Sequence, residues 1–297
     1  MITSHYAEIN GHAIHYLYRK SNQKNQKNQK LLVMLHGFPE NAHTWEGLIS
    51  LMPPYLDIIA PDLPGYHHSS PLSDISLYQL PALIARMAAF IENIQKGREI
   101  ILVGHDWGGA VAWPLAAFHQ TLFKKLIIIN AAHPSTFTLS LKNSSLQREK
   151  SQYIHNLTAL NAEQKLENSG FRLLKQMLGE ELFESESDYA IMLQKDWARP
   201  VTLTSMLNYY RQMPQQVPCA NAAKAELDKI RIPQVFIRIP TLVLWGEKDD
   251  AFDISVLDNI EHYVPMIEMH FNKAASHWLH REHPQWVLKR IVDFVEA

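Results

Sequence analysis

The chain has 297 residues, 46% of them hydrophobic and 20% charged, and a formal net charge of −2. A balance so close to neutral gives no case for nucleic acid or a membrane surface as partner, and no run reaches the ~18 apolar residues of a membrane-spanning helix. The single cysteine, Cys219, excludes an intrachain disulfide and points to a reducing, cytoplasmic compartment.

The length predicts a core with an inserted subdomain. The first six residues hold no apolar leader run and read as mature protein. Residues 5–18 alternate polar and apolar around Asn10-Gly11, so they predict two antiparallel strands joined by a hairpin turn. Three Asn-Gln-Lys triplets within 21–30 contain nothing that packs and predict a flexible surface loop. Leu31 to Leu35 is a continuous apolar run, the pattern of a strand buried on both faces, and His36-Gly37-Phe38-Pro39-Glu40 follows it. Leu56 to Ala60 predicts another short strand, ending in Pro61-Asp62-Leu63-Pro64-Gly65-Tyr66. Residues 76–96 predict a helix stopped by Gly97; strands follow at 99–103 and 126–129, with a helix to about His119 between them. Strands alternating with helices imply an α/β fold, a mostly parallel doubly wound sheet whose ligands bind outside the carboxyl ends of the strands.

From about Ser135 to Pro233 the pattern turns helical and polar, with helices predicted at Leu146 to Gln164, Ser169 to Leu178, Asp188 to Lys195 and Thr202 to Met213. Pro240 to Gly246 restores the strand pattern, and further segments predict a last strand at Ile267 to Phe271 and a last helix at Pro284 to Val295. The organisation expected is a core of residues 1–134 and 234–297, with 135–233 inserted as a helical cap over the strand ends.

Gly104-His105-Asp106-Trp107-Gly108 stands between the 99–103 strand and its helix. This is the glycine-flanked sharp turn that lifts a nucleophile off a sheet, with aspartate where a hydrolase of the serine type has its hydroxyl. An aspartate is ionised at neutral pH without a base. Its carboxylate suits displacement at a saturated carbon carrying an epoxide oxygen or a halide, and the product is an ester on the protein. Hydrolysing that ester does require a base, a group to orient the base, and N–H donors for the oxyanion. His277 follows the last strand and is the candidate base; Asp249 follows the restored strand and is its candidate orienter. The backbone N–H groups of Trp107 and Phe38 are the candidate oxyanion donors. No cofactor or metal is called for. Asn130 and His133, at another strand end, read as structural polar links, and His280 and His283 as surface residues.

The chain resembles the α/β-hydrolase-fold epoxide hydrolases across nearly its whole length. The likeness is carried by His36-Gly37-Phe38-Pro39-Glu40-Asn41, Trp45, Pro61-Asp62-Leu63-Pro64-Gly65-Tyr66 and Gly104-His105-Asp106-Trp107-Gly108-Gly109. The resemblance implies a cis Phe38-Pro39 peptide and two cap tyrosines that donate to the epoxide oxygen. Helical geometry leaves Tyr209 and Tyr210 open as alternatives; the resemblance of Asn208-Tyr209-Tyr210-Arg211 to the family motif selects Tyr210. Ser151-Gln152-Tyr153 is the best match for the other, with His155 on the same segment as its competitor. A phenol suits this work, because it can donate to a developing alkoxide and then protonate it. The departures from the family are the 21–30 loop and Tyr66-His67-His68-Ser69, where a small residue often follows the tyrosine.

The implied activity is conversion of a small, apolar epoxide and water to a vicinal diol. The alternative is a dehalogenase with the same Asp106, Asp249 and His277. Haloalkane dehalogenases, however, usually carry Asn or Glu where this chain has Phe38, and haloacetate dehalogenases usually carry Arg where it has Trp107. A more distant alternative is a binding protein that kept the fold and lost turnover.

Overall fold

The computed structural model describes residues 1–22, 29–184 and 187–297. Residues 23–28, the middle of the predicted 21–30 loop, lie outside the described residues; at its ends Ser21 and Gln29 are buried and Lys30 already belongs to a strand, because these residues pair with the sheet rather than with solvent. Eight strands form one sheet: β1 Ile2–Ile9, β2 His12–Arg19, β3 Lys30–Leu35, β4 Asp57–Pro61, β5 Glu99–His105, β6 Phe123–Ile129, β7 Thr241–Gly246 and β8 Ile267–Asn272. Their order is β1-β2-β4-β3-β5-β6-β7-β8. The β1–β2 hairpin and the β2–β4 pair are antiparallel and the remaining neighbours parallel. Asn10 and Gly11 both take positive φ in the hairpin turn.

The apolar run of β3 is buried because it has a core on each side. Leu31, Val33 and Leu35 join one cluster with the elbow helix Trp107–Phe118; Leu32 and Met34 join the other with the C-terminal helix Pro284–Glu296. Both faces of the sheet are thus covered, as a parallel sheet requires. In register, Leu35 stands beside Gly104 and His105 beside Ile129, so the ends of β3, β5 and β6 lie side by side. The turns after these strands carry Phe38, Asp106 and Asn130, and those after β7 and β8 carry Asp249 and His277.

Helices fill the segment between β6 and β7, but their boundaries differ from the periodicity. The span 146–164 is three pieces, Ser145–Lys150, Tyr153–Thr158 and Ala162–Asn168. Thr158 turns its hydroxyl onto the Ile154 carbonyl, and Ala159 is extended with ψ 148, which ends the middle piece. Gly170 and Phe171 are left-handed (φ 61 and 60), so the next helix starts at Arg172 rather than Ser169. Pro200 opens the helix Pro200–Arg211 two residues ahead of the predicted start. The helix predicted from 76 begins at Leu80, and Ile75–Tyr78 forms a separate 3-10 turn capped by Asp74. Among the described residues no helix is long and apolar enough to cross a membrane.

Candidate active site

Asp106 has φ 50 and ψ −120, a conformation that side chains with a Cβ rarely adopt. The flanking glycines make it feasible. A Cβ on Gly108 would strike the Leu35 and His36 carbonyl oxygens, and one on Gly104 would strike Gly108 O and Gly109 Cα. The elbow therefore packs backbone against backbone. Such local strain costs about 1–3 kcal/mol and persists only where the surroundings enforce it. Gly37 has a related role, since a Cβ there would occupy the space of the Asp106 side chain.

The two Asp106 oxygens are treated differently. Oδ1 accepts the Phe38 N–H at 2.6 Å, across the cis Phe38-Pro39 turn. Oδ2 faces His277 Nε2 at 3.5 Å. On its other side His277 Nδ1 donates to Asp249 Oδ2 at 2.8 Å. Asp249 is 2% exposed and saturated: Oδ1 accepts the N–H groups of Ala251 (2.7 Å) and Phe252 (2.9 Å), and Oδ2 also accepts Asn130 Nδ2 at 2.7 Å. Burial alone would lower the His277 pKa, but the charge of Asp249 and the hydrogen bonds to Asp106 and Asp249 overcome it and raise the pKa to about 10.

The two cap tyrosine candidates meet the same site. Tyr210 and Tyr153 both line the cavity spaces on either side of the Asp106 carboxylate, one walled by Ala110, Phe137 and Met213, the other by Leu173, Met177 and Trp278. Their rings meet edge to face, with centroids 6.2 Å apart. Burial raises both pKa values, assisted for Tyr153 by the charge of Asp106 and for Tyr210 by Tyr153 and then Asp106, so both remain neutral phenols. The Trp107 and Tyr210 rings meet edge to face, with centroids 5.2 Å apart. Tyr209 is turned away; its hydroxyl donates to Pro64 O at 2.9 Å, and its ring packs on Tyr66 and Tyr78.

Two residues do more than their sequence context suggests. Asn130 links two strands, accepting Gly246 N–H at 2.9 Å, but it also donates to Asp249, the carboxylate hydrogen-bonded to His277. His133, in contrast, is a structural link as expected: Nδ1 accepts the Ser135 N–H, and burial lowers its pKa to about 3. The second residue is His280, expected at the surface but 1% exposed. Its helix Leu279–Glu282 carries it inward, where its ring packs at a tilt against Trp45 and His105. His280, His105 and Glu40 bring one potential ligand atom each within 4.8 Å of the others. Arg281 already places its cation 3.2 Å from Glu40, while Thr44 and Tyr189 donate to the same oxygen, so charge there is balanced from within the chain. The signal for His280 was the apolar pair Trp278-Leu279 between the two histidines, which marks a buried turn.

The family described as alpha/beta hydrolase fold matches residues 30–284. The chain is 30% identical to the AB hydrolase superfamily protein YfhM of Bacillus subtilis, covering 90% of each chain. It is 30% identical to Epoxide hydrolase 3 of Xenopus tropicalis, covering 90% of this chain and 71% of that one. Among solved structures, the Bacillus megaterium epoxide hydrolase in complex with an inhibitor superposes with a TM-score of 0.85 at 26% identity, covering 99% of this chain and 100% of that one. This chain belongs to the α/β-hydrolase-fold family, where epoxide hydrolases are among its relatives.

Proposed function

We propose that the protein hydrolyses epoxides to vicinal diols through an alkyl ester on Asp106. The observation that carries this reading is the pair of neutral phenols, Tyr153 and Tyr210, lining the same cavity as the Asp106 carboxylate. Oδ2, which lacks the Phe38 contact, attacks an epoxide carbon; the C–O bond breaks, and the alkoxide takes its proton from a tyrosine. The ester carbonyl is then Oδ1, which already meets the Phe38 N–H. His277 next removes a proton from water, Asp249 steadies the imidazolium, and hydroxide adds at the Asp106 carboxyl carbon. The Phe38 and Trp107 N–H groups hold the oxyanion until it collapses and breaks the ester C–O bond; the departing alkoxide takes the proton held by His277, and the proton on the regenerated Asp106 carboxyl returns to the tyrosinate. Residues 135–233 act as the cap that closes this chemistry from solvent and supplies both tyrosines. Cys219, exposed and free, fits a cytoplasmic setting.

A halide leaving group would need N–H donors free to face the cavity. Tyr153 and Tyr210 instead bring two phenol O–H donors to the cavity beside Asp106, which favours the epoxide reading over the dehalogenase one. The purified protein offered an aryl epoxide, a 1-haloalkane and fluoroacetate should release diol from the first alone. Halide release without diol would sink the proposal.

A further inference from the structure

The helix Asp188–Trp197 contributes nothing to the proposed catalytic set, yet it grips the turn that carries the Phe38 N–H at three consecutive residues. Trp197 Nε1 donates to the Pro39 carbonyl at 2.9 Å. The Tyr189 hydroxyl donates to Glu40 Oε1 at 3.1 Å. Asp196 Oδ2 accepts Asn41 Nδ2 at 2.9 Å. Positions 189 and 196 stand two turns apart on one helix face, and 197 is beside them, so the helix presents one gripping edge.

Asp196 is the charged member of this edge and is 6% exposed. Arg199 Nη2 donates to Oδ1 at 2.6 Å, and His67 Nδ1 lies 2.8 Å from Oδ2. The Arg199 guanidinium also donates to the His67 carbonyl. His67 is held at φ 42, a conformation unfavourable for a residue with a Cβ, in the stretch where the chain departs from its family's small residue. A side chain held there supplies a contact a small residue could not: the carboxylate is fixed from the core side by His67 and from the start of the next helix by Arg199. Asn41 passes that fixation on. Its Nδ2 goes to Asp196, while its Oδ1 accepts the His43 N–H at 3.0 Å and caps the turn Ala42–Trp45. The turn itself closes through Glu40 N–H to Gly37 O at 3.1 Å, on either side of Phe38.

We propose that Asp196 is a positioning residue for ester hydrolysis, acting through Asn41 to hold the Phe38 N–H on the oxyanion that forms at Asp106 Oδ1. This rests on the reading of Asp106 as the alkylated nucleophile. The Phe38 donor matters most when negative charge collects on Oδ1, which is the second step. A displaced donor therefore slows ester breakdown more than ester formation, whereas a merely structural contact affects both steps or thermal stability alone.

The test is single-turnover kinetics with an aryl epoxide, following ester formation and decay by intact-protein mass spectrometry, in Asp196→Asn, Asn41→Ala and the double variant. Ester formation should stay near the parent rate in each, with decay slower by about 10-fold, the scale of a partly displaced oxyanion donor. The double variant should be no slower than the worse single one, because the two act in series. Equal slowing of both steps, unchanged decay in a folded variant, or additive losses would each overturn the proposal. If Asp196→Asn does not fold, Asn41→Ala, which keeps the carboxylate with Arg199 and His67, decides by the same two rates. A parent protein that forms no ester at all removes the functional reading itself; a parent that turns over normally beside an indistinguishable Asn41→Ala removes only the role of Asp196.

Discussion

Replacing Asp106 by Asn should lower the His277 pKa, and by an amount that the geometry bounds. His277 stands between two carboxylates, with Asp249 Oδ2 at 2.8 Å and Asp106 Oδ2 at 3.5 Å, and its pKa lies at about 10. At neutral pH it is therefore an imidazolium in the free protein, yet the proposed hydrolytic step needs it as a base. Alkylation resolves this, because an ester at Asp106 carries no charge; Asn mimics that state. A unit charge at this separation and an effective dielectric of about 20 is worth at most ~5 kcal/mol, or ~3.5 pKa units. The amide dipole returns part of this, so a fall of about 2 units is expected. NMR titration of the His277 ring protons reads it directly, and a fall of less than about half a unit would refute the reasoning. Stability gives an independent check. The folded pKa lies above the unfolded value of about 6.5, so the His277 contribution is fully present below about pH 6.5 and is lost as pH rises through about 10. Asp106→Asn should confine that loss to a lower, narrower interval.

His277→Gln should still be alkylated by an aryl epoxide and then retain the ester, seen by intact-protein mass spectrometry as a lasting adduct of the epoxide's mass; no adduct would count against a two-step mechanism. Tyr210→Phe should slow ester formation by about 10²-fold while leaving decay of the ester unchanged, and an unaltered first step would show that this hydroxyl does not activate the oxygen. Asn130→Ala removes hydrogen bonds to Gly246 N, Gly246 O and Asp249 Oδ2 in a fully buried site. It should cost about 2–4 kcal/mol in urea denaturation and slow ester decay; stability within about ±0.5 kcal/mol of the parent, the usual range for a neutral surface change, would contradict the burial argument.

What could be read from the sequence was whatever has a local cause. A double-buried strand announces itself as an unbroken apolar run, and β3, β5 and β7 did so. The elbow showed in its glycines, because backbone packed on Leu35 O and His36 O leaves no room for a Cβ at 108. Strand ends then placed Asp249 and His277 near Asp106 without any coordinate. The helices between β6 and β7 were less legible. Their breaks depend on a threonine hydroxyl bonding its own helix and on two left-handed residues in succession, neither of which disturbs a 3.6-residue period. Asn130 and Asp249 are 119 positions apart, so their bond belongs to tertiary structure alone. The Asp196–Asn41 contact spans 155 positions and is hidden for the same reason.

The division of labour proposed for the two carboxylates around His277 follows from how far each is satisfied. Asp249 accepts two backbone N–H groups, an asparagine amide and the imidazole, so its oxygens have little capacity left for an incoming carbon. Such a carboxylate serves to steady a cation beside it. Asp106 accepts the Phe38 N–H on one oxygen and lines the cavity with Tyr153 and Tyr210. An oxygen short of donors is the better nucleophile, and the donor already on its partner becomes useful when the ester carbonyl gains charge. The strained backbone at 106 serves both ends, since it turns one oxygen to Phe38 and leaves the other beside His277. Exchanging the two hydrogen-bonding environments would leave both carboxylates in place and remove the reason for either to react.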